Sequence, residues 1–486
     1  MSKILGLIRD NLLAATFGAT VQTGINKLDI YYAAFRLPDL LFNLLSFGIL
    51  SAAFVPVFVE ILKKEGDKSA NKYANEIFKT FGILILGISA VMWIFAPYFV
   101  KLFVPGFEQG DINITVQITR IMLVTPFFFT IGSIAGGIQN AYGKFWGLAA
   151  APILYNSAII GGILFLSKDY GVYGVAIGVV IGAMLNMCAL LPGIIRKGFY
   201  LEHISTFFTG RVMETIRLSI PRIIGMSTAQ LALVIGTVIA STLADGSITI
   251  MNFAVNLQSL PIGLIGISVA IVSFGTLSSH FAENKMLEFK TEISKNIRRI
   301  LFLLIPSTIG MLILRTQIVT ILYGRGKFNA TDILLTSNTL GVLLCGTVFG
   351  GLVFILARGF YAMKNTRTPV IIGISAITIN ILASIFFTLI IKWNIYGIAI
   401  GTALADTINA VALLILLQKK LRENILEYKE IAKFIFAAVI MGIFVNFAVT
   451  ITQNTYLQVF LSAITGICIY LTVCGILKCK DTKFLV

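Results

Sequence analysis

The sequence predicts an all-α membrane protein that crosses the bilayer many times. Of the 486 residues, 57% are hydrophobic and only 12% are charged, whereas an ordinary soluble domain has about 25% charged residues. The mean hydropathy is +0.92. Apolar runs of about 20 residues, each long enough to cross a hydrocarbon core of about 30 Å, recur along the whole chain. Only helices and closed barrels satisfy the backbone in lipid, and these runs are too long and too uniformly apolar for barrel strands.

We expect about fourteen transmembrane helices, and we number them as spans one to fourteen. Their predicted limits are 4–20, 30–62, 77–103, 112–139, 146–167, 172–195, 213–243, 248–281, 297–323, 332–357, 369–391, 395–418, 431–452 and 455–477. The first span contains Arg9 and Asp10 and lacks a small-residue cleavage pattern. We therefore expect it to be retained rather than removed as a signal peptide.

Positive charge is concentrated in alternate connections between the spans. The formal net charge is +16, and the Lys and Arg residues cluster at 63–72, 144, 196–211, 285–299, 358–367, 419–422 and 478–483. The intervening connections carry little beyond Lys27, Lys168, Arg325, Lys327 and Lys392. Because Lys and Arg are retained on the cytoplasmic side, this alternation predicts an even number of spans with both termini cytoplasmic. It explains the charge without nucleic acid, which we do not expect as a partner.

The sequence offers little for enzyme chemistry. His203 and His280 have no metal-ligand spacing, and no Walker loop, HExxH motif or nucleophile elbow occurs. The five cysteines show no paired spacing, and four of them lie in apolar spans. We therefore expect a transporter rather than an enzyme, with no cofactor, disulfide or firm metal site. The driving force must then be an ion gradient, the membrane potential or the substrate gradient.

A short internal repeat indicates two lobes. Residues 172–178 read VYGVAIG and residues 395–401 read IYGIAIG. Chance similarity between glycine-rich membrane helices is the alternative. A true repeat with an even number of spans between its copies gives halves of the same orientation, a known transporter design with the substrate site between the halves. We predict an N-lobe of helices 1–6 at 1–197, a cytoplasmic interlobe linker at 198–212, a C-lobe of helices 7–12 at 213–420, and a C-terminal helix pair with tail at 421–486.

Charged residues near the start of the chain are candidate substrate ligands. An ionisable side chain inside the bilayer is costly, so it usually faces a cavity or a partner. Arg9 and Asp10 lie in span one, and Asp29, Arg36 and Asp39 lie at the start of span two. Arg36 and Asp39 are about one helical turn apart, so a purely structural pair is the alternative for these two residues.

The seventh and eighth spans add further polar positions. Span seven contains Arg217 and Arg222. For Arg217 we prefer snorkelling to the membrane interface, whereas the deeper Arg222 is the better candidate for a substrate ligand. Asn256 makes the eighth span polar beside the expected cavity. Arg120 and Arg315 are interpreted as structural or interfacial.

Three residues of spans eleven and twelve are candidates for cation coupling. Asp406 is the sole carboxylate deep in span twelve, Thr402 lies one turn before it, and Asn380 lies in span eleven. A carboxylate with nearby carbonyl and hydroxyl oxygens can bind a small hard cation or carry a proton. The pattern therefore predicts coupling to Na⁺ or H⁺, with a hydrogen-bonded Asp that only packs helices together as the alternative.

Six groups of motifs follow one another along the chain. They are LGLIRD at 5–10 with FGA at 17–19, AFRLPDLL at 34–41, SAAFVP at 51–56, NAYGKF at 140–145, GRGKF at 324–328 and GFYAMKNTRTP at 359–369. In their order and spacing, and over nearly the whole chain, they resemble the MurJ/MviN family of lipid II flippases, within the multidrug/oligosaccharidyl-lipid/polysaccharide exporter superfamily.

The resemblance implies fourteen helices in two six-helix lobes plus a C-terminal pair. It also implies alternating access that carries an undecaprenyl-diphosphate-linked peptidoglycan precursor, lipid II, from the inner to the outer leaflet of the cytoplasmic membrane for cell-wall synthesis. A cationic cavity between the lobes would hold the diphosphate and its headgroup, and the last two helices would form a groove for the lipid tail. Membrane lipids and cell-wall synthesis proteins are the other implied partners.

The polar positions of the family's first two helices correspond to Arg9, Asp10, Asp29 and Arg36. The chain departs from the family pattern elsewhere. Family members commonly have arginine where this chain has Phe42 and Asn256, an acidic residue where it has Phe47, and arginine where it has Lys3. A diphosphate in a low-dielectric cleft needs charge-assisted partners. We therefore expect Arg9, Arg36 and Arg222, with Lys3, to supply the positive field.

Two other functions stay open from the sequence. The same fold could export another polyprenyl-diphosphate-linked glycan or an amphipathic compound, and the two missing arginines are the best support for that cargo. A non-transporting membrane scaffold is the alternative from a different class.

Overall fold

A computed structural model describes residues 2–20, 24–47, 54–195 and 208–484, without the side chains of 45–47, 218, 221–229, 483 and 484. Within these ranges the chain is helical, and no strand occurs. The α-helices are α1 Ser2–Phe17, α2 Leu28–Leu41, α3 Val55–Glu65, α4 Asp67–Phe103, α5 Gln109–Met122, α6 Thr125–Ala141, α7 Trp146–Gly161, α8 Ser167–Tyr170, α9 Val172–Ile195, α10 Gly210–Ser241, α11 Ser247–Pro261, α12 Ser268–Ala282, α13 Met286–Ile313, α14 Arg315–Tyr323, α15 Ala330–Ala362, α16 Arg367–Ile385, α17 Asn394–Leu421, α18 Tyr428–Thr450 and α19 Thr455–Ile476. Four π-helical segments are Phe42–Phe47, Gly162–Leu166, Ile262–Ile267 and Phe386–Ile390, and two 3₁₀ segments are Gly24–Asn26 and Lys480–Phe484.

The helices confirm the predicted fold class. Within the described ranges, 11 helical segments are long and apolar enough to cross a membrane. The other three predicted spans also coincide with helices. Span one is α1 with 16 residues, span two is divided between α2, Phe42–Phe47 and α3, and span seven is α10, whose apolar part is Gln230–Ser241. The predicted count of about fourteen is therefore consistent with the structure.

Two of the four π-helical segments lie just after a proline. Pro38 lies inside α2, and the π-helical segment Phe42–Phe47 begins four residues later. Pro261 ends α11 directly before the π-helical segment Ile262–Ile267. Proline removes one backbone donor and crowds the preceding turn, so the hydrogen-bonding pattern is interrupted there. The α-helical hydrogen bonding of spans two and eight is therefore interrupted just after these prolines.

The chain forms two compact units. Unit 1 comprises Met1–Thr249 with Gly326–Phe328, and unit 2 comprises Ile250–Arg325 with Asn329–Val486. The first copy of the repeated heptapeptide begins α9 in unit 1, and the second begins α17 in unit 2. Helix α10, which follows the predicted interlobe linker, packs in unit 1. The predicted lobe boundaries stay a prediction, and the linker residues 198–207 lie outside the described residues.

Both copies of the repeat have the same local structure. In unit 1, α7 and the π-helical segment Gly162–Leu166 pack on α9, and in unit 2, α16 and Phe386–Ile390 pack on α17. A Cβ on Gly174 would lie 2.6 Å from the Leu166 carbonyl oxygen, and a Cβ on Gly397 would lie 2.5 Å from the Thr388 nitrogen. Glycine is therefore required at the same place in each copy, which favours a true repeat over chance similarity.

The last two helices are joined to α13 in unit 2 by a polar network. The Arg298 guanidinium on α13 contacts the Asp481 carboxylate at 2.5 Å and also pairs with Glu427. The Lys480 ammonium lies 2.5 Å from the Glu427 carboxylate. Beside this network, the Tyr470 hydroxyl on α19 donates to the Phe302 carbonyl at 2.8 Å. These contacts attach the start of α18 and the segment after α19 to α13.

We expect Arg298→Ala to destabilise the protein by about 2 kcal/mol, because it leaves the buried Asp481 carboxylate without its guanidinium partner. The measurement is thermal unfolding in detergent, followed by tryptophan fluorescence. The matched control is Lys64→Ala, which removes an ion pair to Glu60 whose side chains are 71% and 59% exposed and should have little effect. Equal stability of the two variants would contradict the proposed role of the network.

The same network predicts a pH dependence. Burial raises the pKa of Glu427, but the hydrogen bond from Lys480 and the charges of Arg298 and Lys480 outweigh burial and hold the pKa below its usual value. A lowered folded-state pKa stabilises the protein at neutral pH, and this stabilisation is lost as the pH falls through the acidic range of glutamate. The difference in melting temperature between wild type and Arg298→Ala should therefore shrink between pH 7 and about pH 4.

Candidate functional site

Arg9 and Asp10 form an ion pair within α1. The Arg9 Nε and Nη2 atoms donate to Asp10 Oδ1 at 3.0 and 2.8 Å, and Nη1 donates to Asn156 Oδ1 of α7 at 3.2 Å. Asn156 is fixed in turn, because its Nδ2 donates to the Pro152 carbonyl at 2.9 Å. Asp10 is buried, whereas the Arg9 side chain keeps 24% of its surface exposed. The arrangement orients the guanidinium and leaves part of it accessible.

Arg36 is held by α10, the first helix of the predicted C-lobe. Its Nε donates to Thr237 Oγ1 of α10 at 2.8 Å, and the Thr237 hydroxyl donates to the Leu233 carbonyl of its own helix at 2.9 Å. Asp39 lies one turn further along α2 and is partly buried. The partner of the Arg36 Nε is therefore a neutral hydroxyl on α10, and the Asp39 carboxylate lies within electrostatic range of the same guanidinium.

Aromatic side chains join the two arginine positions within unit 1. Tyr32 lies within electrostatic range of both Arg9 and Arg36, and Tyr155 lies within range of Arg9 and Asp39. The ring of Tyr31 contacts that of Tyr32 with a centroid distance of 5.3 Å. Arg9, Arg36 and Asp39 therefore each lie within electrostatic range of a tyrosine that the sequence analysis did not single out.

Phe42 is one of the two positions at which the family resemblance implies arginine. Its ring contacts Phe129 at a centroid distance of 5.2 Å, and Phe129 contacts Tyr155 at 5.3 Å. An aromatic row thus extends from Phe42 to the tyrosine beside Arg9. The missing charge is replaced by apolar and aromatic surface rather than by another cation at this position.

Asp29 has a different environment from the other acidic candidates. Its Oδ1 accepts from the Thr249 backbone N–H at 2.8 Å and from the Thr249 hydroxyl at 2.6 Å, and its Oδ2 accepts from the Gly246 N–H at 2.8 Å. It is 5% exposed. A carboxylate that accepts from the first amides of a helix satisfies donors that the helix cannot satisfy itself, here at the start of α11. Its predicted role in substrate binding stays a prediction.

The remaining candidates lie on α10 and α11. Arg222 is in α10, but its side chain lies outside the described part of the chain. Asn256 is partly buried on α11, and its carbonyl oxygen accepts from the Ser259 hydroxyl at 2.7 Å. The structure thus adds two residues that the sequence reasoning missed. Asn156 and Thr237 are polar residues within long apolar spans, and that was the available signal for both.

The cation candidates lie together in unit 2. Asn380 Nδ2 on α16 donates to Thr402 Oγ1 on α17 at 3.2 Å, and the Thr402 hydroxyl donates to the Ile398 carbonyl at 3.0 Å. Asp406 lies one turn further along α17 and faces α15, where a Cβ on Gly350 would lie 3.1 Å from its Oδ2. This group combines amide, hydroxyl and carboxylate oxygens, which are the ligands of small hard cations. The described residues hold no group of three or more His, Cys, Asp or Glu side chains suited to a metal ion.

Comparisons with known proteins agree with these features. A family model described as lipid II flippase MurJ matches residues 13–466. The probable lipid II flippase MurJ of Haemophilus influenzae is 30% identical over 430 residues, which cover 85% of this chain and 83% of that protein. The lipid II flippase MurJ of Burkholderia cenocepacia is 28% identical, with 86% of this chain and 82% of that protein covered.

Solved structures give the same result at the level of the fold. A lipid II flippase MurJ in an inward closed conformation matches with a TM-score of 0.84 and 26% identity, covering 100% of this chain and 98% of that one. An inward-facing multidrug resistance transporter of the MATE family matches with a TM-score of 0.72 and 13% identity, which shows a shared fold alone. Because the family model extends over most of the chain, this protein belongs to the family of the lipid II flippase MurJ.

Proposed function

We propose that this protein is a lipid II flippase, which moves the lipid-linked peptidoglycan precursor from the inner to the outer leaflet of the cytoplasmic membrane by alternating access. The observation that carries the proposal is the pair of guanidinium groups, Arg9 oriented by Asp10 and Asn156 and Arg36 oriented by Thr237, in a chain that belongs to the MurJ family. The translocated precursor would be used in cell-wall synthesis. Cell-wall synthesis proteins are therefore the expected protein partners.

The chemistry of the arginine site suits a diphosphate. Guanidinium groups bind phosphate oxygens through two parallel charge-assisted hydrogen bonds, and such bonds are strong where water is scarce. The Arg36 guanidinium is oriented by the bond from its Nε to the Thr237 hydroxyl and lies near Asp39, so an incoming phosphate would share it with these groups. Arg9 is already paired with Asp10, and this ion pair orients the guanidinium. An incoming phosphate would have to share the guanidinium with the Asp10 carboxylate. The tyrosine rings beside both arginines offer flat surfaces for sugars.

A cavity in unit 2 suits the lipid tail. It has a volume of about 440 Å³ and is lined by α13, α14, α18 and α19. Its walls are almost entirely apolar, with Phe302, Met311, Met441 and Ile467 among them. An isoprenoid chain has only carbon and hydrogen to bury, so such walls can receive it from the lipid without leaving any polar group unpaired. The α18–α19 pair is therefore the proposed tail-binding element.

The proposed orientation follows the distribution of charge along the chain. We place both termini in the cytoplasm, because the basic connections alternate with connections that carry few cations. The α1–α2, α4–α5 and α10–α11 connections then lie on the outer side.

For the driving force we propose coupling to Na⁺ or H⁺ at Asn380, Thr402 and Asp406. The support is the hydrogen bond between Asn380 and Thr402 and the position of the Asp406 carboxylate one turn away. Loading of a cation or proton would neutralise Asp406 and so change how α17 packs against Gly350 of α15.

The decisive experiment for the function is an accessibility assay in vesicles that contain the purified protein. Fluorescent lipid II is compared with a different polyprenyl-diphosphate-linked glycan, and we expect the protein to expose lipid II to the outer leaflet much faster. Equal transport of the two lipids would refute narrow specificity and favour the broader cargo that Phe42, with its aromatic surroundings, supports. Transport of neither lipid would refute the flippase function.

In the same assay, Arg9→Ala and Arg36→Ala should each slow lipid II transport by at least about tenfold, because each removes a charge-assisted bond worth about 1.5–3 kcal/mol to the diphosphate. Arg120→Ala is the matched control, since the Arg120 guanidinium lies 4.5 Å from the centroid of the Trp93 ring, away from the site, and should leave transport unchanged. Thr237→Val should slow transport severalfold by releasing Arg36, whereas Thr237→Ser should preserve it. Undiminished transport by both arginine variants would exclude this site.

Coupling is tested by Asp406→Asn, which preserves the shape of the side chain but can neither lose a proton nor neutralise a cation. We expect its transport rate to become independent of Na⁺ and of pH, while the wild-type rate responds to at least one of them. Transport that is indifferent to Na⁺, to pH and to this substitution would remove the coupling site from the proposal. Ser375→Ala on the exposed face of α16 is a control that should behave as wild type.

A further inference from the structure

Two cysteines lie at the end of α19, beside the network that attaches this end of the chain to α13. Cys474 is in the last turn of the helix, and Cys479 follows it by five residues. They are 0% and 3% exposed and pack in one hydrophobic core with Phe302 and Phe434. The proposed transport mechanism uses neither of them, and the other three cysteines of the chain are exposed.

The backbone turn that ends α19 brings the two cysteines together. The Lys478 N–H donates to the Gly475 carbonyl at 3.0 Å, and the Cys479 N–H donates to the Cys474 carbonyl at 2.9 Å. Lys478 has a φ of +51°. These two bonds and the left-handed residue are a Schellman motif, in which the side chains at both ends of the longer bond meet. In a continuous helix, residues five apart point to different sides, so the spacing alone does not reveal this contact.

The two thiol groups contact each other directly. Each is a hydrogen-bond partner of the other, and the Cys474 thiol also reaches the Tyr470 hydroxyl one turn earlier on α19. A disulfide requires two cysteines that are neighbours and whose side chains are directed at each other. Both thiols are free in this structure, and the pair fulfils both conditions.

The segment after α19 covers the thiols. The Glu430 carboxylate of α18 accepts from the Lys480 N–H at 3.1 Å and from the Lys433 ammonium at 2.8 Å. The next residue of the segment, Asp481, pairs with Arg298 of α13. Glu430, Lys433 and Asp481 all lie within electrostatic range of the Cys479 thiol. Water and solutes therefore reach Cys479 only when residues 480–482 move away from these partners.

Burial keeps the covered pair unreactive. Burial raises the pKa of the Cys479 thiol, and the hydrogen bond with Cys474 and the charge of Lys433 offset only part of this rise. The thiolate is the nucleophile in thiol–disulfide exchange, so a raised pKa slows the reaction. Release of the segment into water returns the thiol to the ordinary range near about 8.5. The contacts of residues 480–482 thus control the reactivity of Cys479.

We propose that Cys474 and Cys479 form a reversible dithiol–disulfide site, which a low-molecular-weight disulfide oxidises when residues 480–482 leave Arg298 and Glu430. The Cys479 thiolate attacks one sulfur of the small disulfide, which forms a mixed disulfide and releases one small thiolate. Cys474 loses its proton and attacks the Cys479 Sγ, and the second small thiolate leaves. One disulfide forms in the protein while the small disulfide is reduced to a pair of thiols, so electrons and protons balance.

The disulfide fixes the end of α19. It closes a ring over residues 474–479 and keeps Lys478 in its left-handed conformation. Tyr470, one turn from Cys474, lines the apolar cavity proposed for the lipid tail, so the fixed end belongs to a wall of that cavity. The charge pattern assigns this end to the cytoplasm, where small thiols keep cysteines reduced. The disulfide therefore forms when that pool is oxidised and is lost when the pool recovers.

The test uses the purified full-length protein in detergent, with oxidised glutathione as the probe. Cys188→Ala, Cys345→Ala and Cys468→Ala leave the pair as the only thiols. Free thiols are then alkylated, and the protein is digested with trypsin without reductant. Trypsin cleaves after Lys478, between the two cysteines, so a disulfide keeps the two peptides joined. We expect joined peptides that carry no glutathione and that separate after treatment with dithiothreitol.

Single substitutions assign the roles of the two thiols. Cys474→Ser removes the thiol that resolves the mixed disulfide, so glutathione should stay attached to Cys479. Cys479→Ser leaves only the fully buried Cys474, and modification should fall by at least about tenfold. Glutathione retained on the intact pair, or equal modification of the two single variants, would overturn the proposed reaction.

Control by the covering segment is tested with the same readout over time. Arg298→Ala should speed disulfide formation about tenfold, because it leaves Asp481 without its partner and raises the population of the open segment. Lys480→Ala should speed it about two- to fivefold, since that side chain is 59% exposed. Lys64→Ala, which removes a distant exposed ion pair, is the control and should react as the unsubstituted pair.

The outcomes separate the dithiol site from the transport function. Absence of a disulfide in every variant would overturn the site, and equal rates in all variants would overturn its control by residues 480–482. If Arg298→Ala does not fold, Lys480→Ala still tests that control. The chemistry requires no lipid II, so a disulfide that forms as expected stands even if the protein fails to flip that lipid.

Discussion

The structure depends on one constraint, which is that lipid offers no hydrogen bonds. Every polar group inside the membrane must find its partner within the chain, and the cost of failing to do so is several kcal/mol for each group. This is why the described residues are helical, and why the charged residues of α1 and α2 are bonded to Asn156 and Thr237. The functional residues are thereby fixed by the same contacts that allow them to be buried.

Much of the fold could be predicted from the sequence, because the length of an apolar run is read directly and a helix of about 20 residues spans the bilayer. The sequence could not predict which distant residues would hydrogen-bond to the charged side chains. The sequence showed Arg9 beside Asp10, but the contact with Asn156 joins positions 147 residues apart. Nothing local to α10 indicates that Thr237 holds Arg36, since the same hydroxyl could equally have satisfied only its own helix.

The candidate site shows the same division. Its residue types followed from the rule that charges in membranes are functional, and the structure places Arg9 and Arg36 each within electrostatic range of Tyr32. The tyrosines were missed because aromatic residues are ordinary in apolar spans. Asp29 was expected beside the substrate, and its environment is that of a carboxylate at the start of a helix. Its surroundings depend on residues more than 200 positions away, which no reading of span two alone could supply. At Phe42, the sequence showed that the arginine implied by the resemblance is absent. It did not show that Phe129 and Tyr155 would surround this position with aromatic rings.

The glycine contacts of the two repeated helices have a mechanical consequence. At Gly174 and Gly397, one helix backbone rests against another without a side chain between them. Such an interface has no side-chain layer that would let the two helices slide past each other. We therefore expect α7 with α9, and α16 with α17, each to move as a rigid body. Movement during a transport cycle then has to be absorbed by the connections and by spans two and eight, which Pro38 and Pro261 interrupt. The repeated glycines thus determine which helix pairs stay rigid, and so which parts of the protein are left to change shape.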